Sequence, residues 1–519
     1  MTAINIDALD AALDALPKRF PGPGGVAGVV LEGKVIAARA WGYKDLDAAA
    51  PMTAQTRLPI CSITKQFTCQ VLLAELGEPE AHDGKVATYL PQFTGTLPTL
   101  RQLCDNQSGL RDYWALTVLQ GAMAEQPFRR EDALPLIARM KTGHFPPGTA
   151  YSYCNCNFRI ISEIIETETG ADLESLYRRH VWGPAGMKTA ALTSDTSRPE
   201  DGVTGYEGNA ATGYFPADNR IFWIGDAGIS ASLDDMLAYE IWVDATRNDP
   251  QSLYRRVSGQ PHYIDGTPAA YGLGIARDEV AGRVFTGHGG ALRGFRAKRL
   301  NAREDRLSVV VMFNHEGDPH GAAVSLIEAA FGHSPTEPDA APEGHDGQWL
   351  ADNGLLASLS AGRRGVSLTY NGWGPDLLDP AADGSLTSPG VTLRRDGVRL
   401  VMSRRGDNTV SILEPLPIID TADGTEIAGR WHSPELEADL VIEARDGGIY
   451  ARFEGMLGTG RMERMAPVGR DVWTLSTRRS MDAPAPGDWT VILHRGPFGR
   501  AAGLTLGCWL ARGVEYRRG

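Results

Sequence analysis

Residues 61–76 read CSITKQFTCQVLLAEL, and the head of this stretch decides how the whole chain is understood. Ser62 and Lys65 stand three apart where an apolar run begins. On a helix, positions i and i+3 share one face, so a hydroxyl and an amine come within reach of each other. Serine alone is a poor nucleophile and needs a base at hydrogen-bond distance. At a first helical turn, Ser62 also sits at the positive end of the helix dipole, where its backbone N–H can face an oxyanion. A free lysine titrates near 10.4, and a base working near pH 7 must be largely neutral. Bringing it that far down costs about 4 kcal/mol, part of which burial on an apolar face supplies. The apolar run is therefore the environment that makes Lys65 a base. S-x-x-K also arises by chance as a capping serine and a solvated lysine, so the pair needs support from elsewhere in the chain.

At 519 residues, with 42% hydrophobic and 22% charged residues, the chain reads as globular, with two or three domains. A formal net charge of −13 argues against nucleic acid or an anionic membrane surface as partner. No apolar run reaches the roughly 20 residues that a membrane span needs. The first residues, MTAINIDALDAALDAL, lack a basic head and carry Asp7, Asp10 and Asp14 within an apolar pattern, which predicts an amphipathic helix and a cytoplasmic protein. Cys61, Cys69, Cys104, Cys154, Cys156 and Cys508 show no disulfide spacing and are expected as free thiols. Zinc is the alternative for CNC at 154–156, weakly supported without a matching C-x-x-C.

Residues 25–43, GVAGVVLEGKVIAARAWGY, read as two strands meeting at EGK. FRIISEIIETETG (158–170) has helical spacing and a terminal glycine. RVFTGHGG (283–290) and RLSVVVMFN (306–314) read as strands joined by a charged turn at NARED. Helices followed by late antiparallel strands suggest an α+β layer. After Phe331 the composition shifts. GHSPTEPDAAPEGHDG (332–347) is rich in Pro, Gly and acids, and beyond it short alternating strands succeed one another, as in GVRLVMSRRGDNTVSILEPL (397–416). GQW (347–349) and GRW (429–431) each open about 80 residues of this pattern, a repeat that suggests two small antiparallel barrels or sandwiches.

Two further segments support the first. YSYCNCN (151–157) contains Tyr153-Cys154-Asn155 directly after the turn FPPGTA, and GHGG (287–290) sits between strand-like runs. S-x-x-K, then Y-x-N, then a basic residue followed by x-G resembles the serine β-lactamase and penicillin-binding protein superfamily. The likeness is greatest to class C β-lactamases and the related D-alanyl-D-alanine carboxypeptidases, esterases and D-aminopeptidases. NQSGL (106–110), PGTAYSYCN (147–155), GPAGM (183–187), GDAGISASLDDM (225–236) and YGLGI (271–275) look like that family's framework, so the resemblance covers nearly all of residues 25–315. It implies that Ser62 is acylated, Lys65 takes its proton, Tyr153 relays protons and Asn155 orients the substrate amide. It also implies an oxyanion hole from the backbone N–H groups of Ser62 and Ala291. Cys154, between two inward-facing residues, is expected to point away as a small packed hydrophobe. No cofactor or metal is implied, and inhibition by β-lactams is.

The third triplet departs from the Lys-Thr-Gly or Lys-Ser-Gly common in lactamases and carboxypeptidases. Here it is His288-Gly289-Gly290. The fixed charge that binds a terminal carboxylate is weakened and the hydroxyl is gone. That suits relatives acting on esters, amides or N-terminal residues. Among these, D-aminopeptidases resemble the chain best, because they add two C-terminal antiparallel β-barrels to the catalytic domain. The expected layout is a β-lactamase-like catalytic domain over 1–331, a linker over 332–346, a barrel over 347–418, a linker over 419–428 and a second barrel over 429–519. A free substrate ammonium needs a carboxylate near the nucleophile. The family's device is a loop from the last barrel, and RRSMDAPAPGD (478–488) is the candidate, with Asp482 as the partner. His315, Asp318 and His320 in NHEGDPH (314–320) read as a loop after a strand and not as a metal site.

The expected activity is release of N-terminal D-residues from short peptides, amides and esters. An esterase or a lactamase- or carboxypeptidase-like hydrolase is the alternative, and a penicillin-binding sensor that acylates without turnover the next. The sequence leaves oligomeric state open, a homodimer included.

Overall fold

A computed structural model describes residues 4–333, 345–363, 365–419, 424–477, 481 and 488–519. The chain begins with helix α1 (Ile6–Arg19), opened by the Asn5 side chain accepting from the Ala8 N–H at 3.0 Å. Its apolar stripe, Leu9, Leu13 and Leu16, is fully buried, as the acid-studded pattern predicts. It packs with the final helix of this part, labelled α5 (Pro319–Phe331), against one face of a sheet. Asp318 caps that helix by accepting from the Gly321 N–H at 2.9 Å, so this acid ends a loop and starts a helix.

The sheet has eight antiparallel strands: β1 (Gly24–Leu31), β2 (Lys34–Asp45), β3 (Ala50–Pro51), β4 (Tyr271–Gly272), β5 (Ile275–Val280), β6 (Arg283–Leu292), β7 (Phe295–Ala302) and β8 (Leu307–Phe313). Their order is β3-β2-β1-β8-β7-β6-β5-β4. The turn between β1 and β2 holds Glu32 and Gly33 at φ 51° and 73°, the doubly positive backbone of a two-residue hairpin. β1 and β8 are buried on both faces because helices cover both sides of the sheet. One expectation is corrected. The turn at NARED does not follow RVFTGHGG. It joins β7 to β8, and FRAKRLNA is a strand between them. Arg296, Lys298 and Arg299 disguised it, since charges at three of its eight positions break the apolar alternation of a buried strand.

The second face carries α2 (Thr64–Glu75), α3 (Asn155–Thr169) and α4 (Leu233–Ala245). α2 is buried from Thr64 to Leu73, so it is a core helix on all sides. α3 ends at Gly170 with φ 66°, the left-handed stop its glycine predicts. One buried ion pair ties the layers together. Arg299 on β7 forks onto Glu240 on α4 at 2.6 and 2.8 Å, and both side chains are fully buried. The same guanidinium donates to Gln66 Oε1 at 3.0 Å and to the Tyr254 hydroxyl at 2.8 Å.

Beyond α5 the chain forms two barrels. Eight strands from Gly347–Ala351 to Thr409–Pro415 close where Trp349 pairs with Pro415. The second set runs from Gly429–Ser433 to Ala511–Arg518 and closes through the pairing of Ala438–Arg445 with Gly448–Gly455, with Gly458–Thr459 appended. The chain is thus α+β followed by two closed antiparallel barrels. The repeated GQW and GRW mark their first strands, and Trp349 and Trp431 are both buried. Their cores differ. The first barrel encloses its own cluster, whereas Trp431, Leu436 and Trp489 continue the core of the helical layer. Residues 334–344 and 420–423 of the two expected linkers, and 478–480 and 482–487 of the expected loop, Asp482 included, lie outside the described residues. No helix among the described residues is long and apolar enough to cross a membrane.

Candidate active site

Ser62 lies in a 3-10 turn, Cys61–Ile63, that runs directly into α2. Cys61, just before it, is fully buried and holds φ 51°. A non-glycine residue there costs on the order of 1–3 kcal/mol and persists only where packing enforces it. The packing is visible. β6 runs so close that a Cβ on Gly290 would lie 2.2 Å from the Ile60 carbonyl oxygen, which only glycine permits. On the other side Gly274, at φ 74°, lets its turn approach the Lys65 carbonyl, where a Cβ would be at 2.6 Å. The serine and the lysine are clamped between backbone segments.

The Lys65 side chain is fully buried, and its Nζ stands 3.0 Å from Ser62 Oγ, 2.8 Å from Asn155 Oδ1 and 2.7 Å from the Asp226 carbonyl oxygen. It lies 4.9 Å from the centre of the Tyr153 ring and 5.3 Å from that of Phe158. Ser62, Lys65, Tyr153 and Asn155, separated by up to 93 positions in the chain, therefore meet at one point. Asn155 is held from behind. The Asp112 carboxylate accepts from both its backbone N–H and its Nδ2, the latter at 2.9 Å. Asp226 is likewise fixed, its carboxylate accepting from the Tyr113 hydroxyl at 2.8 Å and from the Ile224 N–H at 2.9 Å. Burial pushes the Asp112 carboxyl up to about 6, although it accepts from Asn155 and Trp114.

His288 stands on β6 beside Gly289, Gly290 and Ala291. Its Nδ1 contacts the Gly289 carbonyl, which can only accept, so Nδ1 carries the proton and Nε2 accepts from the Tyr271 hydroxyl at 3.0 Å. Burial first, and then the Lys65 amine, push this imidazole down to about 3. A neutral ring with both nitrogens engaged keeps no N–H for a substrate carboxylate. It does not reproduce the lysine of the Lys-Thr-Gly triplet. Cys154 is fully buried, its Sγ 3.0 Å from that of Cys156, and all six thiols are free. Among the described residues no group of three His, Cys, Asp or Glu side chains could hold a metal.

The second barrel enters the site by a route the sequence reading missed. The turn after Ala501–Cys508 places the Trp509 ring against Tyr153, with centroids 6.4 Å apart and planes at 27°. Next to it, the Leu510 carbonyl accepts from the Asp112 N–H at 2.9 Å and the Arg512 carbonyl from Arg111 Nε at 2.9 Å. Barrel, Asp112, Asn155 and Lys65 thus form one hydrogen-bonded chain. Asp226 and Tyr271 lie inside framework segments already recognised in the sequence. Trp509 had no local signal.

His144, His288 and His315 are pushed down by burial, His288 to about 3 and His315 to about 4. The unfolded chain takes up these protons from pH 6.5 downward, and the folded one resists. Their contribution to stability is therefore full above pH 6.5 and lost as pH falls toward 4 and 3. Asp112 acts oppositely, because its folded value lies above the usual carboxylate range. Urea melts at pH 7 and pH 5 are expected to differ by about 2 kcal/mol for each of His288 and His315, with His144 acting in the same direction, offset by about 1 kcal/mol from Asp112. Equal midpoints at both pH values would contradict this.

Residues 9–331 match the Beta-lactamase family, and residues 339–517 match the family described as D-aminopeptidase, domain B. A D-aminopeptidase of Cereibacter sphaeroides is 64% identical over 516 residues, 99% of each chain. One of Brucella canis is 47% identical over 521 residues, all of both chains. Among solved structures, the octameric penicillin-binding protein homologue of Pyrococcus abyssi overlays with a TM-score of 0.55 at 17% identity, covering 92% of this chain and 99% of that one. A D-amino acid amidase of Ochrobactrum anthropi overlays at 0.51 and 19% identity, covering 62% and 98%. At these identities the overlays speak for the fold. The full-length similarity, together with both family matches, places the chain in the D-aminopeptidase family, hydrolases that join a β-lactamase-like domain to two barrels.

Proposed function

We propose that the protein removes N-terminal D-residues from short peptides, amides and esters through an acyl-enzyme on Ser62. The observation that carries this is the buried amine of Lys65 at 3.0 Å from Ser62 Oγ and 4.9 Å from the centre of the Tyr153 ring. As a free base, Lys65 has two N–H bonds for Asn155 Oδ1 and the Asp226 carbonyl, and a lone pair for the Ser62 hydroxyl. Ser62 Oγ attacks the substrate carbonyl and its proton passes to Lys65. The oxyanion is taken by the backbone N–H groups of Ser62 and Ala291. Tyr153 hands a proton to the leaving nitrogen as the C–N bond breaks, and Lys65 restores it. Water then attacks the ester, with the same groups taking its proton and returning one to Ser62. Asn155 orients the substrate amide, Gly289 leaves room along β6, and Gly290 lets β6 close on the Ile60 carbonyl beside the Ser62 turn.

Asp482 is assigned to the substrate ammonium, and the division at 331, 347 and 429 belongs to the same reading. The names of the two full-length relatives support D-residues as substrates and an exopeptidase mode. The test compares D-alanine p-nitroanilide with its N-acetyl derivative. The expected result is a loss of at least about 100-fold on acetylation, since a charge-assisted pair is removed from a partly desolvated cleft. Equal rates would turn the reading to an esterase or amidase without need of an amine, and lasting β-lactam labelling without turnover would turn it to a sensor.

A further inference from the structure

Beside Tyr153, the catalytic domain and both barrels line an open pocket of about 370 Å³. That volume is in the range of small-molecule sites, about 300–1,000 Å³. Tyr151, Tyr153 and Trp509 form part of its wall, and Arg404, Arg512, Asp376 and Asp407 bring charge to it, with Asp376 3.9 Å from Arg404 Nη1. Asp407 is spoken for: its carboxylate accepts from Arg404 Nε at 2.6 Å. Arg512 is not. Among the described residues it has no carboxylate within ion-pair distance, and its terminal nitrogens have no hydrogen-bond partner.

Its orientation is nevertheless built. Arg512 Nε donates to His144 Nδ1 at 3.1 Å, and His144 Nε2 donates to the Leu110 carbonyl at 2.9 Å, which fixes the tautomer. The guanidinium lies 5.9 Å from the centre of the Phe145 ring. Burial pushes both His144 and Arg512 below their ordinary values, and for Arg512 it outweighs the more distant Asp407 carboxylate.

We propose that Arg512 binds the free carboxylate of the leaving group, so that the preferred substrates are short peptides ending one or two residues past the scissile bond. This rests on the proposed acyl-enzyme reading, in which Tyr153 protonates the leaving nitrogen and therefore faces the departing residue. The carboxylate site absent from His288 is then supplied by the last barrel. Arginine suits the role, because its two terminal N–H groups match a carboxylate bidentately.

The experiment measures kcat/KM for D-alanyl-D-alanine and for its C-terminal amide on wild type, Arg512→Gln and Arg512→Lys. Wild type is expected to prefer the free acid by about 10- to 100-fold, Arg512→Gln to lose that ratio and Arg512→Lys to keep part of it. A wild type without preference, or a ratio unchanged in Arg512→Gln, would overturn the assignment, including the case in which both substrates weaken equally. Binding of the two peptides to Ser62→Ala, with and without Arg512→Gln, is measured by calorimetry. It decides Arg512 even if wild type hydrolyses neither peptide, a failure that would instead count against the acyl-enzyme reading.

Discussion

Ser62→Ala is expected to lower kcat on D-alanine p-nitroanilide by on the order of 10⁵-fold or more, leaving the fold intact. The alanine removes the only atom that forms the acyl bond, and no neighbouring group replaces it. Ser62 is only partly buried and its hydroxyl contacts Lys65 across 3.0 Å, so little packing is lost with it. Lys65→Met should cost a similar factor, because the serine then has no base. The double variant should be no worse than either single one, since residues acting as a unit are not additive. Rapid quench with a D-aminoacyl ester gives the companion reading: wild type shows a burst of product and Ser62→Ala none. Retention of kcat within tenfold in Ser62→Ala would remove the acyl-enzyme and with it the proposed chemistry.

Glu240→Ala is expected to destabilise the catalytic part by about 3–5 kcal/mol. Both members of the pair are fully buried, and Arg299 reaches Glu240 through two parallel hydrogen bonds. Burial works against the arginine's charge, and the Glu240 carboxylate outweighs it, holding the group above its ordinary range. Removing the carboxylate leaves a charge in the core held by Gln66 Oε1, the Tyr254 hydroxyl and the faces of the Tyr239 and Tyr254 rings, none of them a counter-charge. Gln66 follows Lys65 on α2, so the same variant should also lower kcat. Glu240→Leu with Arg299→Met should recover most of the stability, because an apolar pair removes the unpaired charge. The first unfolding transition in urea reports both results. A shift below about 1 kcal/mol for Glu240→Ala would mean that the pair contributes little and that the layers are held by apolar packing alone.

Much of the site was legible in sequence because its parts are local. S-x-x-K needs only helix geometry to bring Ser62 to Lys65, and Y-x-N places Tyr153 and Asn155 around one inward turn. The helix stop at Gly170, the hairpin at Glu32-Gly33 and the paired tryptophans that open the barrels follow from φ preferences and from alternation. The strand at 295–302 was hidden because its charges serve distant partners: Arg299 is satisfied by Glu240, 59 positions earlier.

The sequence by itself named the groups that meet at the candidate site, because each motif is a short-range arrangement whose geometry the backbone dictates. Only the tertiary structure decided what surrounds them. Asp112 supports Asn155 across 43 positions, and Asp226 reaches Lys65 across 161. Trp509 and Arg512 come to Tyr153 from the other end of the chain, since barrel closure carries the final hairpin back over the cleft. Contacts of that span leave no period or spacing to read, as the free energy that selects them comes from burying both partners together.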